Sequence, residues 1–305
     1  MDLISIITAL AGLFVIIGIG FAAKKYGILN GDRLHLISHI LVNVSLPALS
    51  IVSLQVQQTP ANMSIAGHMI VVAFACYLSA FVIGLVLFRF IPSTLEEKGI
   101  FQFMLIFSNS LFMGIPVATA MFGASSLFYV ILFNVPFYLL VFTLGVWLLN
   151  RGAGRFDIKK FLLSPGLVAA IVGLVFFLDT VTLPGPVDYG LGLVGSATTP
   201  LAMLVVGALL ATIPLRQLAG DWRVYLVTAL RLVIFPVVGY LVLSHFIADK
   251  MLVGVAVLML GMPVAANLVL FCEDFHMDSK LASQGVFITT ILCLVTIPLL
   301  GILLL

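Results

Sequence analysis

Gly114-Ile115-Pro116-Val117-Ala118-Thr119-Ala120 returns later in the chain as Gly261-Met262-Pro263-Val264-Ala265-Ala266-Asn267, and both copies sit deep inside long apolar segments. A proline inside a helix removes one backbone hydrogen bond, clashes with the carbonyl four residues back and pushes its predecessor out of the α region. Glycine just before it lowers the cost of unwinding. In lipid, unwound backbone persists only where protein buries it or water reaches it. Two matching interruptions therefore predict a binding site between them, with the remaining chain as its frame.

That frame is apolar almost throughout. The sequence is 63% hydrophobic and 9% charged with a mean hydropathy of +1.29, against roughly 25% charged residues in soluble domains. This is the composition of a membrane protein. At about 20 residues per spanning helix, a chain of 305 residues holds roughly ten spans and leaves no soluble domain. A net charge of +2, with the basic residues scattered through loops, gives no surface for nucleic acid. Cys76, Cys272 and Cys293 are odd in number and lie in or beside apolar segments, so they read as small buried hydrophobes, not as disulfides or metal ligands. No cofactor is expected. Met1-Asp2, an apolar run to Ala23 and then Lys24-Lys25 read as a retained first helix, because a cleaved signal carries its positive charge before a shorter apolar core.

Apolar runs place spans at 3–23, 34–56, 66–90, 99–122, 126–149, 163–179, 190–213, 222–246, 251–271 and 279–305. Lys24, Lys25, Arg33, Arg89, Lys98, Arg151, Arg155, Lys159, Lys160, Arg216, Arg223 and Lys280 then share one face, and Lys250 alone occupies the other. The positive-inside rule makes the first face cytoplasmic and puts both termini outside a cell membrane, plasma or inner. Span two carries Ser45-Leu46-Pro47-Ala48-Leu49 and span seven Thr198-Thr199-Pro200-Leu201-Ala202, so the prolines repeat as Pro47 then Pro116 and Pro200 then Pro263, 69 and 63 residues apart. The chain thus divides into a first five-helix repeat at 1–150, a cytoplasmic linker at 151–162 and a second repeat at 163–305. Five is odd, so the second repeat enters the membrane inverted. The expected fold is an all-α polytopic protein of ten transmembrane helices, with helices four and nine broken at their glycine-proline motifs and crossing near the midplane.

Asn109-Ser110-Leu111-Phe112-Met113-Gly114-Ile115-Pro116, the Leu46-Pro47-Ala48-Leu49 stretch, and Met262-Pro263 running on to Phe271 resemble the auxin efflux carrier family, which includes plant PIN carriers and bacterial malate and malonate permeases. The resemblance covers essentially the whole chain, and about a dozen residues between spans five and six place it nearer the compact bacterial members. It implies a ten-helix inverted repeat with crossed helices four and nine that moves small organic anions. It also implies a scaffold of helices 1, 2, 6 and 7, which forms a homodimer, and a transport core of helices 3–5 and 8–10.

At each break the proline reads as the start of a new half-helix, whose free N–H groups and positive dipole end favour an anion, while carbonyls freed near Phe112 and Met259 suit a cation or hydroxyl. The competing reading is a structural kink satisfied by neighbouring helices. Asn109, seven residues before Pro116, and Asn267, four after Pro263, both project to the cytoplasmic side of the breaks, and each amide can hold a carboxylate without a buried charge. Asn43, Ser45 and Thr199 flank the other proline pair as weaker candidates. Arg231 is the formal charge well inside a span; either it contacts the anion or it snorkels to the interface. Gln102, His39 and His68 read as interfacial. His35 and His39 lack the glutamate of a zinc-protease motif, since Leu36 follows His35, and no serine occupies a nucleophile elbow. Spans four and nine hold no carboxylate before Glu273 and Asp274, which favours an anion or a weak acid crossing as its anion.

The expected function is secondary transport, without enzyme activity, of a small organic anion. The substrate class is a mono- or dicarboxylate, auxin-like or malate-like, carried by alternating access of elevator type. The expected binding residues are Asn109, Gly114, Pro116, Gly261, Pro263, Asn267, Asn43, Thr199 and Arg231. The partners are this anion and membrane lipid. Two other readings share the fold: a channel-like pore, and a receptor that binds without transporting.

Overall fold

A computed structural model describes residues 3–150, 163–212, 221–277 and 279–304. The expected linker with Arg151, Arg155, Lys159 and Lys160, and also Arg216, lies outside the described residues. The described chain is all helical: α1 (Leu3–Lys25), α2 (Gly31–Ser53), α3 (Pro60–Phe90), α4 (Leu95–Ile106), α5 (Ser110–Phe122), α6 (Ser126–Asn150), α7 (Pro165–Leu178), α8 (Gly185–Leu210), α9 (Trp222–Phe246), α10 (Lys250–Leu260), α11 (Asn267–Asp274) and α12 (Ser279–Leu304). Seven of these, α1, α2, α3, α6, α8, α9 and α12, are long and apolar enough to cross a membrane, and α5, α7 and α10 are shorter apolar helices.

Local chemistry sets the helix starts. Thr94 opens α4 with a capping box, accepting from the Glu97 N–H while Glu97 accepts from its own. Asp249 caps α10 through the N–H groups of Met251 and Leu252, and Asn30 and Asp221 cap α2 and α9. Three prolines inside helices are absorbed by widened π turns at Leu41–Ser45, Ser110–Gly114 and Leu230–Ile234, which end two residues before Pro47, Pro116 and Pro236. In each case the residue four before the proline lies at the centre of the wide turn, so its carbonyl is moved clear of the ring.

Pro116 therefore does not break its helix, contrary to the expectation that each proline starts a half-helix. The first interruption falls earlier, at Phe107, Ser108 and Asn109, between α4 and α5. The second runs from Gly261 to Ala266, between α10 and α11, and contains Pro263 as expected, but the half-helix starts at Asn267 and not at the proline.

Small residues let the helices approach closely. A Cβ at Gly20 would overlap the Leu204 carbonyl and one at Gly207 the Ile17 carbonyl, so α1 and α8 touch backbone to backbone. Gly195 of α8 lies on Leu49 of α2, and Gly173 of α7 on Leu54 just past α2. Helices α1, α2, α7 and α8 thus pack as one group, while α3 packs on α4 and α6, α9 on α10, and α11 on α12. Across α2 and α8, the Ser45 hydroxyl meets Thr198 Oγ1 at 2.8 Å and donates to the Val194 carbonyl. Arg223, at the start of α9, holds Glu97 at the start of α4 at 2.7 Å, Asp221, Ser93 Oγ and the Pro92 carbonyl, and stacks over Phe101. Contacts with Arg223 keep the Asp221 carboxyl below its usual range. Cys76, Cys272 and Cys293 are buried and form no disulfide.

Candidate functional site

The two interruptions meet. The Asn109 N–H donates to the Pro263 carbonyl at 2.7 Å and the Ala265 N–H to the Phe107 carbonyl at 3.0 Å, an antiparallel bridge centred on Ser108 and Val264. Each unwound stretch thereby satisfies part of the other in a site where every backbone group needs a partner. The Val264 N–H is taken by Thr289 Oγ1 of α12 at 3.0 Å.

Two half-helices, α5 and α11, begin at this bridge. Their first N–H groups, at Ser110 and Leu111 and at Ala266 and Asn267, find no backbone acceptor among the described residues. Two positive helix ends therefore converge where the breaks cross. The opposing C-terminal end of α4 is neutralised differently. Arg231 is 2% exposed and reaches from the π turn of α9 to the Leu105 carbonyl, to the Met104 carbonyl at 3.3 Å and to the Met262 carbonyl at 3.1 Å. It does not snorkel; it clamps carbonyls freed at both breaks, and among the described residues no carboxylate pairs with it. The Met259 carbonyl, by contrast, accepts from the Met262 N–H at 3.4 Å.

Asn109 and Asn267 both lie at the crossing but in different states. Asn109, 6% exposed, turns its Oδ1 onto the Phe112 N–H at 3.3 Å and caps α5. The buried Oδ1 of Asn267, in the first residue of α11, has no hydrogen-bond partner among the described residues. Rotating an amide exchanges its oxygen for its nitrogen, so Asn267 can present either an acceptor or two donors to a ligand. Gly114 packs against Met259 of α10, where a Cβ would fall 2.7 Å from its sulfur, and Gly261 packs against Leu300 and Pro236. Pro116 is buried, six residues after the first residue of α5.

Other expected residues lie elsewhere. Asn43 sits on the exposed face of α2, its amide bonded to His39, in a shallow groove with Asp32 and His35; it faces away from the crossing because Leu34, Leu41 and Ser45 take the buried face. Thr199 lines a cavity of about 500 Å³ between Leu49, Val52 and Ser53 of α2, Ile115 and Thr119 of α5, the start of α6, and Gly195 and Ser196 of α8. That cavity reaches α5 beyond Asn109 and includes neither asparagine of the crossing. Gln102 is buried at 3%, not interfacial, whereas His39 and His68 are exposed.

Several neighbours of the crossing were not singled out from the sequence. Ser110 donates to Asn134 Oδ1 of α6 at 2.6 Å, and Tyr77 of α3 packs on Phe107, Phe133 and Phe137 with its hydroxyl buried near Ser110. Asn134, Tyr77 and Thr289 are polar residues inside apolar runs, which is a signal for interhelical bonding but not for a particular partner.

A family model described as "Membrane transport protein" matches residues 5–300. An uncharacterized transporter of Methanothermobacter thermautotrophicus is 27% identical over 293 residues, covering 94% of each chain. An uncharacterized transporter of Methanocaldococcus jannaschii is 25% identical over 297 residues, covering 95% of this chain and 96% of its own. A Rhizobium meliloti protein named "Putative malonate transporter" is 28% identical over 140 residues, 46% of this chain and 43% of its own.

Proposed function

The chain belongs to this membrane transport family, that of the auxin efflux carriers, and from that premise we propose that it is a secondary carrier for a small carboxylate anion bound at the crossing. The observation that carries this reading is the antiparallel bridge at Ser108 and Val264, which brings two half-helix N-termini together with the unpartnered Oδ1 of Asn267. Helix N-termini attract anions through free N–H groups and dipole. Arg231 adds positive charge behind them without spending it on a carboxylate of the protein. Malonate, which the name of one relative carries, is the first dicarboxylate to test.

In this reading α4–α5 and α10–α11 each form one interrupted span, giving ten spans in two inverted five-helix repeats. The α1, α2, α7 and α8 group is the scaffold and homodimer surface, and the remaining helices are the core. The cavity of about 500 Å³ between scaffold and core, with Thr199 on its wall, is the approach to the site. Alternating access follows from the core sliding against the scaffold. The basic loops face the cytoplasm and both termini lie outside, by the distribution of Lys and Arg.

The test is uptake of labelled malonate and monocarboxylates into proteoliposomes of purified protein, together with calorimetric binding. Saturable flux that Asn267→Ala weakens supports the proposal. Binding without flux supports a receptor, and a steady non-saturating current supports a pore; either result overturns the carrier reading.

A further inference from the structure

Arg231 is the one charged side chain among the buried described residues. Its hydrogen bonds tie it to Met104, Leu105 and Met262, at the ends of both interrupted helices, and so to the body that carries the crossing. The guanidinium stays protonated at neutral pH. Its carbonyl partners offset part of that charge as dipoles but contribute no formal charge. The other formally charged groups of the same body, Arg89, Glu96, Glu97, Lys98, Asp221, Arg223, Asp249, Lys250, Glu273, Asp274 and Lys280, lie at helix ends, where the membrane field does little work on them. The body around the crossing therefore holds one net positive charge in its interior when no anion is bound.

Resting on the carrier reading above, we infer that Arg231 is the counter-charge that decides which steps of the cycle respond to membrane potential, and that a monovalent anion is the electrically silent cargo. Loaded with a monoanion, the moving body is neutral inside the membrane. Empty, it carries +1; loaded with a dianion, it carries −1. The potential does work only on charge that moves through it. Exchange of a monoanion, in which the body crosses loaded in both directions, then ignores the potential, whereas net transport responds through the empty return. Exchange of a dianion responds through the loaded step itself.

The experiment uses purified full-length protein in proteoliposomes, with potential set by valinomycin and a potassium gradient. The probes are labelled malonate, a dianion at mildly alkaline pH, and its monomethyl ester, a monoanion. At saturating anion on both sides, a potassium gradient of about tenfold is expected to change malonate exchange about three- to tenfold, the response of a unit charge crossing part or all of the field. Ester exchange is expected to stay constant while ester net uptake responds. In Arg231→Gln the ester exchange is expected to become voltage-sensitive, and Arg231→Lys is expected to keep the wild-type pattern. Ester exchange that responds as strongly as malonate exchange in the wild type, or robust flux in which neither responds, overturns the inference and leaves the carrier reading standing. Because those comparisons use wild-type protein, they decide even where Arg231→Gln fails to fold. Absence of flux for both anions overturns the carboxylate-carrier reading and this inference with it.

Discussion

The two interruptions carry nearly the same heptapeptide but solve the problem of unpaired backbone differently. The first is short and caps its own following helix: Asn109 accepts from the Phe112 N–H and the π turn at Ser110–Gly114 absorbs Pro116, while its Met104 and Leu105 carbonyls go to Arg231. The second is longer and its following helix has no side-chain cap. Its Met262 carbonyl goes to Arg231 of α9, its Val264 N–H to Thr289 of α12, and its Asn267 amide is left with an unpartnered oxygen. A proline therefore does not by itself mark where a membrane helix opens; the supply of groups that satisfy the released N–H and C=O decides it. The self-capped break leaves no side-chain oxygen over, and the second keeps the Asn267 Oδ1 that the proposed site would offer to a ligand.

Removing Arg231 breaks this contrast most severely. Arg231→Ala strands buried carbonyls on both sides of the crossing and is expected to cost about 3–5 kcal/mol of stability, a large fall in detergent melting temperature. Arg231→Lys should recover part of it, because an ammonium can bond carbonyls without the planar fork. Equal melting of the Ala variant and the wild type would show that the clamp contributes nothing.

The asparagines sharpen the comparison because they should fail in different assays. Asn267→Ala is expected to weaken malonate binding by about 1–3 kcal/mol with melting near wild type. Asn109→Ala loses a helix cap, so about 0.5–2 kcal/mol should appear as lost stability, with a smaller change in affinity. Calorimetric titration and melting of both variants separate these outcomes; identical behaviour would mean that the two breaks are functionally equivalent.

A smaller effect, about 1–2 kcal/mol, is expected for Arg223→Ala, which unties α9 from Glu97 and the 92–93 loop at a partly exposed site. The Asp221 part of that network is readable by pH. Its carboxyl is lowered on folding, mainly by the hydrogen bond from Arg223. The stabilisation is therefore fully present above the ordinary aspartate range and lost as pH falls through the lowered folded value. Melting should not change through this group between neutral and mildly acidic pH, and the wild-type advantage over Asp221→Asn should shrink only in strong acid.

Much of this architecture was legible in the sequence because its causes are local. Apolar run length sets where helices lie, and span edges missed mainly where caps such as Thr59 and Pro60 extend a helix beyond its apolar stretch. The second break was readable because Pro263 lies inside it. The first was misplaced because its causes are long-range: the Pro263 carbonyl and the Ala265 N–H hold Phe107 and Asn109 out of helix, and nothing within a few residues of Ser108 announces them. The local signal that existed was Ser108-Asn109-Ser110, side chains that compete with helical backbone bonds and favour caps. Asn43 could have been set aside on periodicity alone, since it lies opposite Leu34, Leu41 and Ser45. On α8, Thr198 makes the buried contact with Ser45 and its neighbour Thr199 lines the cavity. The carbonyl partners of Arg231 come from two other helices and leave no trace in its own segment.

The claim that the two breaks meet at an anion site is tested most directly by joining them. With Cys76, Cys272 and Cys293 replaced, Ser108→Cys and Val264→Cys would occupy facing positions of an antiparallel bridge, the closely spaced pair that lies between the two bonds. In membranes under mild oxidation, the account predicts an intramolecular disulfide, formed more slowly when malonate is present. Thiols that both remain free under oxidation, or a disulfide whose rate malonate does not change, would contradict it.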